Sequence, residues 1–351
     1  MTLQDIVGRY HGDFLARYGH TVKADQRSAL HAIMGCRQGA YGDLALSCTD
    51  CSHHDRVPRS CGHRACNQCQ HGSTQAWLDR QLHKLLPVNY YMATFTLPAE
   101  LRGLAKSNPA IVYRLLMECA VKTLRTFGLN KKSFNAELGF CAVLHTHTRR
   151  LDYHPHVHIV IPGGGIHRAR KQWRKVQTDY LFNGFALAKV FKGMFLKALS
   201  DHGLKAKATP PSWVVHCKKV GKGKAALEYL SRYLYKGVIS NSNIIEDDGV
   251  SVTFRFLDSK TKTWMTRTLK GEDFIHQMLQ HVLPKGFRRV RDFGFLHGNA
   301  KALLRVVQWV LKVQLPSLTE KPKSSKSSIR CKHCQGKMNV IGIIRGAFSS
   351  A

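Results

Sequence analysis

Acidic residues are scarce in this chain. Asp and Glu number 22 against 54 Lys and Arg, a formal net charge of +32. Such a surplus repels itself unless a polyanion lies nearby, and nucleic acid is the natural partner. A ribosomal or membrane-surface role would meet the charge alone equally well. The basic residues are spread along the chain instead of gathered in a tail, which favours a long binding surface. Long apolar runs are also missing. No stretch approaches the roughly 18 apolar residues of a membrane-spanning helix. The nearest, 302–315, is interrupted by Arg305, Gln308, Lys312 and Gln314. Asp5 and Arg9 stand where a secretory leader would need its apolar core, and no internal repeat is visible. What remains is an ordinary hydrophobic fraction of 44% over 351 residues, enough for two or three domains with real cores.

Cysteine, by contrast, is plentiful. Eleven are present, and several form Cys-x-x-Cys pairs, the pattern of zinc in a reducing cytosol and not of disulfides. Cys48-x-x-Cys51 and Cys66-x-x-Cys69 are separated by 14 residues, and two such knuckles complete a tetrahedron of thiolates. A closed site of this kind is structural, because no position is left open for a substrate. Cys61, His63 and Cys36 lie close in sequence, so one of them could replace a ligand of this set, or a second ion could bind. Cys331-x-x-Cys334 reads as half a site, with nothing after it to complete the four.

Apolar spacing predicts helices over 1–35, 75–87, 110–127, 180–201, 224–236, 272–282 and 298–313. In the 180–201 helix Phe182, Phe185, Leu187, Val190, Phe191, Phe195 and Leu199 form the expected buried face. Strands are expected at Tyr90–Leu97, 138–147, 154–162 and Trp213–His216, with a hairpin at Val250–Phe256 and Thr263–Leu269. The segment 36–71 reads as loop and short hairpin, Gly163–Gly165 as a strand stop, and the Lys- and Ser-rich 321–328 as a linker. The simplest architecture is α+β, a central antiparallel sheet with packed helices, an N-terminal zinc-binding module and a helical C-terminal region.

The richest chemistry lies in His154-Pro-His-Val-His158. On a strand, His156 and His158 share one face while Val157, Ile159 and Ile161 take the other. Two adjacent imidazoles make half of a divalent-metal site, suited to Mg2+ or Mn2+ on a phosphodiester. His145 is the first candidate for a third ligand and His154 the second, with His147, Asp152 and Asp179 remaining open. Further along, Tyr229 and Tyr233 sit at i and i+4 on one helical face, with Lys236 following. Their phenol oxygens would supply a nucleophile, and Lys236 would favour phenolate or stabilise the charge at phosphorus.

Together these residues resemble the HUH endonuclease superfamily and, within it, the rolling-circle transposases of the insertion sequence 91 family. The resemblance rests on Ser60-Cys-Gly-His-Arg-Ala-Cys-Asn-Gln-Cys69, Phe95-Thr-Leu-Pro98, Leu144-His-Thr146, His154–His158, Tyr229 with Tyr233, Leu283-Pro-Lys-Gly-Phe287 and Arg291–Leu296. It implies an HUH-like fold that nicks and transfers single-stranded DNA through a 5′-phosphotyrosine. It also implies Mg2+ or Mn2+ at the histidines, structural Zn2+ at the cysteines, and insertion-sequence ends and target DNA as partners. A bacterial cytoplasmic, nucleoid-associated location without membrane contact follows, and a homo-oligomer is compatible with it. The corresponding division is 1–85 helical and zinc-binding, 86–240 catalytic, 241–320 hairpin and helices, and 321–351 a basic tail with its Cys pair. Three other readings compete: a replication initiator or relaxase, a non-catalytic zinc-containing nucleic-acid binder, and a metal hydrolase that uses water as nucleophile.

Overall fold

A computed structural model describes residues 1–69, 71–206, 208–223, 228, 238–258, 261–313 and 329–346, with the side chains of 71–74 outside the description. Two compact units emerge. One gathers Met1–His71, Gly237–Leu279 and Leu315–Ala351; the other gathers Gly72–Lys236 and Gln280–Gln314.

The chain begins in the first unit with α1 (Leu3–Tyr18), α2 (Ala24–Gly35) and the hairpin β1 (Asp43–Cys48) and β2 (His54–Pro58). Thr2 and Asp5 close a reciprocal capping box at the start of α1. Its apolar stripe, Leu3, Ile6, Val7, Tyr10 and Phe14, is buried. The second unit then runs through α3 (His71–Leu82), β3 (Asn89–Thr96), α4 (Arg102–Ser107), α5 (Pro109–Gly128), β4 (Phe140–His147), β5 (Tyr153–Pro162), β6 (Gly164–His167), β7 (Gln172–Lys175), α6 (Gly184–Asp201) and β8 (Val215–Lys222). The chain returns to the first unit for β9 (Ile244–Asp247), β10 (Ser251–Leu257), β11 (Trp264–Lys270) and α7 (Gly271–Leu279). It re-enters the second for β12 (Val290–Phe293) and α8 (Lys301–Val310), and ends in the first with β13 (Met338–Ile344).

The second unit is built on a five-stranded antiparallel sheet in the order β12-β4-β5-β3-β8. Alternation gives its faces opposite characters. Ala93, Phe95, Ala142, Leu144, Val157 and Ile159 pack in one large core with Leu116 and Leu124 of α5 and Phe191 and Phe195 of α6. Pro109 at the first position of α5 supplies a preset φ where no amide donor is needed. The other face carries Trp77, Tyr90, Cys141, Val143 and Val160 at one end and the histidines at the other. In the first unit the short sheets β13-β1-β2 and β11-β10-β9 stand apart from each other. Among the described residues, no helix is long and apolar enough to cross a membrane.

Several expectations need correction. Residues 241–320 do not form one region. They divide after Leu279, because α7 packs on α1 whereas β12 pairs with β4. Nor is 321–351 simply a tail, since β13 pairs with β1 from Asp43↔Ile344 to Cys48↔Met338. Gly163–Gly165 is a crossover and not a stop: the chain continues into β6, where a Cβ on Gly164 would lie 2.3 Å from the Trp173 ring. Phe185 is 87% exposed, because at about 100° per residue it falls roughly a quarter-turn off the buried stripe of Leu187, Ala188, Phe191, Phe195 and Leu199. The strand near Trp213 begins only at Val215. The expected linker at 321–328 and most of the helix at 224–236 lie outside the described residues.

Candidate metal centres

β4 and β5 meet through a turn at Thr148–Asp152, where Thr148 N–H bonds the Asp152 carbonyl at 3.0 Å and Leu151 takes a left-handed φ of +67°. Leu151 is almost fully buried, and that burial offsets the cost of the conformation. The resulting register sets His145 opposite His156 and Val143 opposite His158, so all three imidazoles lie on the face away from the large core. Their ligand nitrogens fall within 4.8 Å of one another. His156 Nε2 and His158 Nε2 are 3.1 Å apart. Two ligands about 2.1 Å from one ion at right angles stand about 3 Å apart, so this spacing suits a shared cation.

The surrounding bonds fix which nitrogen is available. His156 Nδ1 lies 2.6 Å from the His154 carbonyl oxygen, which can only accept. The proton therefore sits on Nδ1 and the Nε2 lone pair faces the cluster. His158 Nδ1 is held at 2.9 Å by Thr94 Oγ1 on β3. Burial, reinforced by the neighbouring imidazoles, holds His156 at about 3. Burial likewise holds His158 at about 4 and pushes His145 well below the usual histidine range. All three are neutral near pH 7, the form that binds a metal.

His145 thus joins the pair, and the other third-ligand candidates are engaged elsewhere. Arg102 donates to His154 Nδ1 at 2.7 Å. The His147 ring lies 4.9 Å from that of the buried His281, tilted against it by 51°. Asp152 accepts from Thr148 Oγ1, and Asp179 pairs with Lys219 at 3.4 Å. Tyr229, Tyr233 and Lys236 lie outside the described residues. The structure adds groups not singled out from sequence. Thr94 anchors His158. His216 and Lys218 pair with Thr94 and Met92, which puts two exposed basic side chains on the histidine face. Alternation along 215–222 hinted at these positions, but only the β3–β8 register reveals their neighbours.

The cysteines sort differently from the expected set of Cys48, Cys51, Cys66 and Cys69. Cys66 and Cys69 cluster with Cys36 and Cys61, whereas Cys48 and Cys51 cluster with Cys331 and Cys334. The reason is the β1–β2 hairpin. Cys48 and Cys51 occupy its tip, and the chain leaves its base at Pro58 opposite Asp43. Six extended residues separate the two ends by about 17 Å. At the base, Arg37 N–H bonds the Arg59 carbonyl at 3.3 Å, bringing Cys36 to Cys61 and the knuckle beyond it. Cys69 Sγ lies 3.5 Å from both Cys36 Sγ and Cys61 Sγ. A hydrogen bond from Cys61 lowers the Cys66 thiol, so a thiolate is available to an arriving ion.

A four-thiol site joined in one chain to a histidine-bearing sheet is a make-up that known protein families can be asked to match, and two family models do so. One, described as "Putative transposase", matches residues 139–303, which include His145, His156 and His158. The other, "Transposase zinc-binding domain", matches residues 6–97, which include Cys36, Cys61, Cys66 and Cys69. These matches define a transposase, an enzyme that acts on DNA, carrying a zinc-binding domain. The chain is 31% identical to "Putative transposase y4qJ" of Sinorhizobium fredii over 95% of each chain. It is 29% identical to "Transposase for insertion sequence element IS801" of Pseudomonas savastanoi pv. phaseolicola, over 82% of this chain and 75% of that one. The chain belongs to the insertion sequence 91 family of transposases. No solved structure matches it.

Proposed function

We propose that this transposase nicks and rejoins single-stranded DNA at insertion-sequence ends, using a tyrosine nucleophile. The observation that carries the reading is the set of three imidazoles converging on one sheet face. His145, His156 and His158 would hold Mg2+ or Mn2+, whose chemistry is to polarise a phosphate oxygen at positions the three ligands leave open. His216 and Lys218 flank the platform on the same face and would meet the DNA backbone. A phenolate oxygen from Tyr229 or Tyr233 attacks phosphorus. The bond to the 3′ oxygen breaks, and that oxygen leaves as a free 3′-OH after taking a proton. The DNA 5′ end remains as a phosphotyrosine ester. Lys236 would stabilise the charge that builds at phosphorus. Attack by a 3′-OH on the ester reverses these changes and joins strands without ATP.

In this reading the zinc-binding domain helps recognise the element ends, the enzyme works in the bacterial cytoplasm at the nucleoid, and a homo-oligomer would pair two ends. A labelled single strand bearing an element end tests it on a denaturing gel. The wild-type chain should form a protein–DNA adduct with Mg2+ and none without it. Tyr229→Phe with Tyr233→Phe should remove the adduct and the nick together. Nicking at the normal rate by that double variant would mean that water, not tyrosine, is the nucleophile.

A further inference from the structure

The second cysteine cluster plays no part in the reaction, and the matched zinc-binding segment, 6–97, holds its Cys48 and Cys51 but ends far short of Cys331 and Cys334. Two of its four thiols come from the opposite end of the chain. We propose that Cys48, Cys51, Cys331 and Cys334 hold a second structural zinc ion, which fastens the segment 329–346 onto the N-terminal hairpin as its third strand.

The donor geometry is that of a metal site and not of a disulfide. Cys48 Sγ stands 3.5 Å from Cys334 Sγ, and Cys51 Sγ stands 3.6 Å from Cys331 Sγ. A disulfide needs about 2.05 Å. A zinc–sulfur distance of about 2.3 Å gives a tetrahedron with edges of about 3.8 Å.

The two halves also repeat one local structure, although they are 280 or more positions apart. Cys48 N–H bonds the His53 carbonyl at 2.8 Å, and Cys331 N–H bonds the Gly336 carbonyl at 2.9 Å. The residue directly after each second cysteine is left-handed: Ser52 at φ +54° and Gln335 at φ +60°. Backbone amides of Asp50, His333 and Gly336 point at Cys48, Cys331 and Cys334 sulfurs at 3.3–3.4 Å. Amides aimed at sulfur favour thiolate, the form a zinc ion takes. Two unrelated stretches adopting the same strained turn around sulfur are explained by one shared ligand.

Hydrophobic packing does not explain how the third strand is held. The core beneath it contains Leu46, Cys48, Cys331 and Met338, with Leu44 and Val57 only partly covered. On β13 itself Val340, Ile341 and Ile343 are 56%, 61% and 60% exposed. A core of this size needs a staple. The hairpin length separates this cluster from Cys36, Cys61, Cys66 and Cys69, so the two ions are distinct.

Zinc content of the full chain, purified with reductant and without chelator, is the test. Native mass spectrometry should find two zinc ions per chain. Cys331→Ser with Cys334→Ser should leave one and speed amide exchange in 43–48 and 338–344, with the five-stranded sheet unchanged. Cys334→His supplies another zinc ligand and should restore the second ion, which separates lost coordination from misfolding. Fewer than two ions in the wild-type chain, two ions in the double serine variant, or a disulfide among these four cysteines would each overturn the proposal. None of these outcomes depends on whether tyrosine is the nucleophile.

Discussion

His156 and His158 are two positions apart on a single strand, whereas Cys48 and Cys334 come together across 286. Both arrangements gather donors suited to a metal ion, but the cost of gathering them differs. The histidine face is set by strand alternation and held by a core that already exists: Phe95, Leu144, Val157, Phe191 and Phe195 on the opposite side of the sheet. The platform therefore stands whether or not an ion is bound. Around the second cysteine cluster the order is reversed. Its small core leaves most of β13 exposed, so metal binding and folding are one event. A reaction centre benefits from the first design, because its groups must be placed before substrate arrives. A structural clamp needs only the second.

Removing zinc should break this contrast most strongly. A high-affinity chelator should unfold 36–69 and 329–346 while the five-stranded sheet keeps its amide protection, as read by hydrogen exchange. The loss is about 10 kcal/mol per site, the scale of structural zinc binding. Next in size is a pair of core truncations. Phe195 is fully buried between Phe191 and Trp213, with ring centroids 5.8 and 5.6 Å away. Phe195→Ala should cost about 3–5 kcal/mol in denaturant unfolding with zinc present or absent. Leu46→Ala, in the small cysteine-capped core, should cost about 2–3 kcal/mol, and only in zinc-loaded protein, because without zinc that core does not form. Equal sensitivity of both variants to zinc would erase the distinction between the units.

The same contrast explains how much could be read from sequence. Strand alternation is local, so His156, His158 and the opposed Val157 and Ile159 were legible from five consecutive residues. His145 was legible as soon as 138–147 and 154–162 were taken as an antiparallel pair. Thr94 was not, because its role depends on the β3–β5 register, which opposes it to His158 through long-range pairing. The cysteine pairs were visible as candidate ligands, with Cys331 and Cys334 only as half a site, but their partnership was not. Spacing suggested Cys48, Cys51, Cys66 and Cys69, and the length of the β1–β2 hairpin forbids that set. No local pattern announces that Cys331 and Cys334 return to its tip. Phe185 failed for a different reason: it is apolar and lies inside the helix, but the 3.6-residue period sets it off the stripe that Leu187, Phe191, Phe195 and Leu199 bury.

Two smaller effects separate a buried titrating imidazole from the three that would coordinate a metal. His281 is buried, and burial holds it at about 4 while its Nε2 donates to the Leu151 carbonyl at 3.1 Å. The unfolded chain takes up this proton near pH 6.5 and the folded chain does not. Stability from His281 is therefore complete above pH 6.5, falls as the pH drops from 6.5 towards 4, and levels off below that. Between pH 6.5 and 5 the loss is about 2 kcal/mol. His281→Gln should flatten that slope in thermal melts, and an unchanged slope would assign it to other groups. The smallest expected effect concerns Thr94. Replacing it with valine keeps the shape but removes the hydroxyl 2.9 Å from His158 Nδ1. Without that anchor His158 can rotate away from His156, so Mn2+ affinity measured by titration calorimetry should fall about tenfold, or about 1.4 kcal/mol. Zinc content should not change, because the cysteine sites share no residue with this face. A variant that lost zinc along with Mn2+ would show that the two kinds of site are not independent. One that lost neither would show that the sheet alone, without its threonine, orients the histidine.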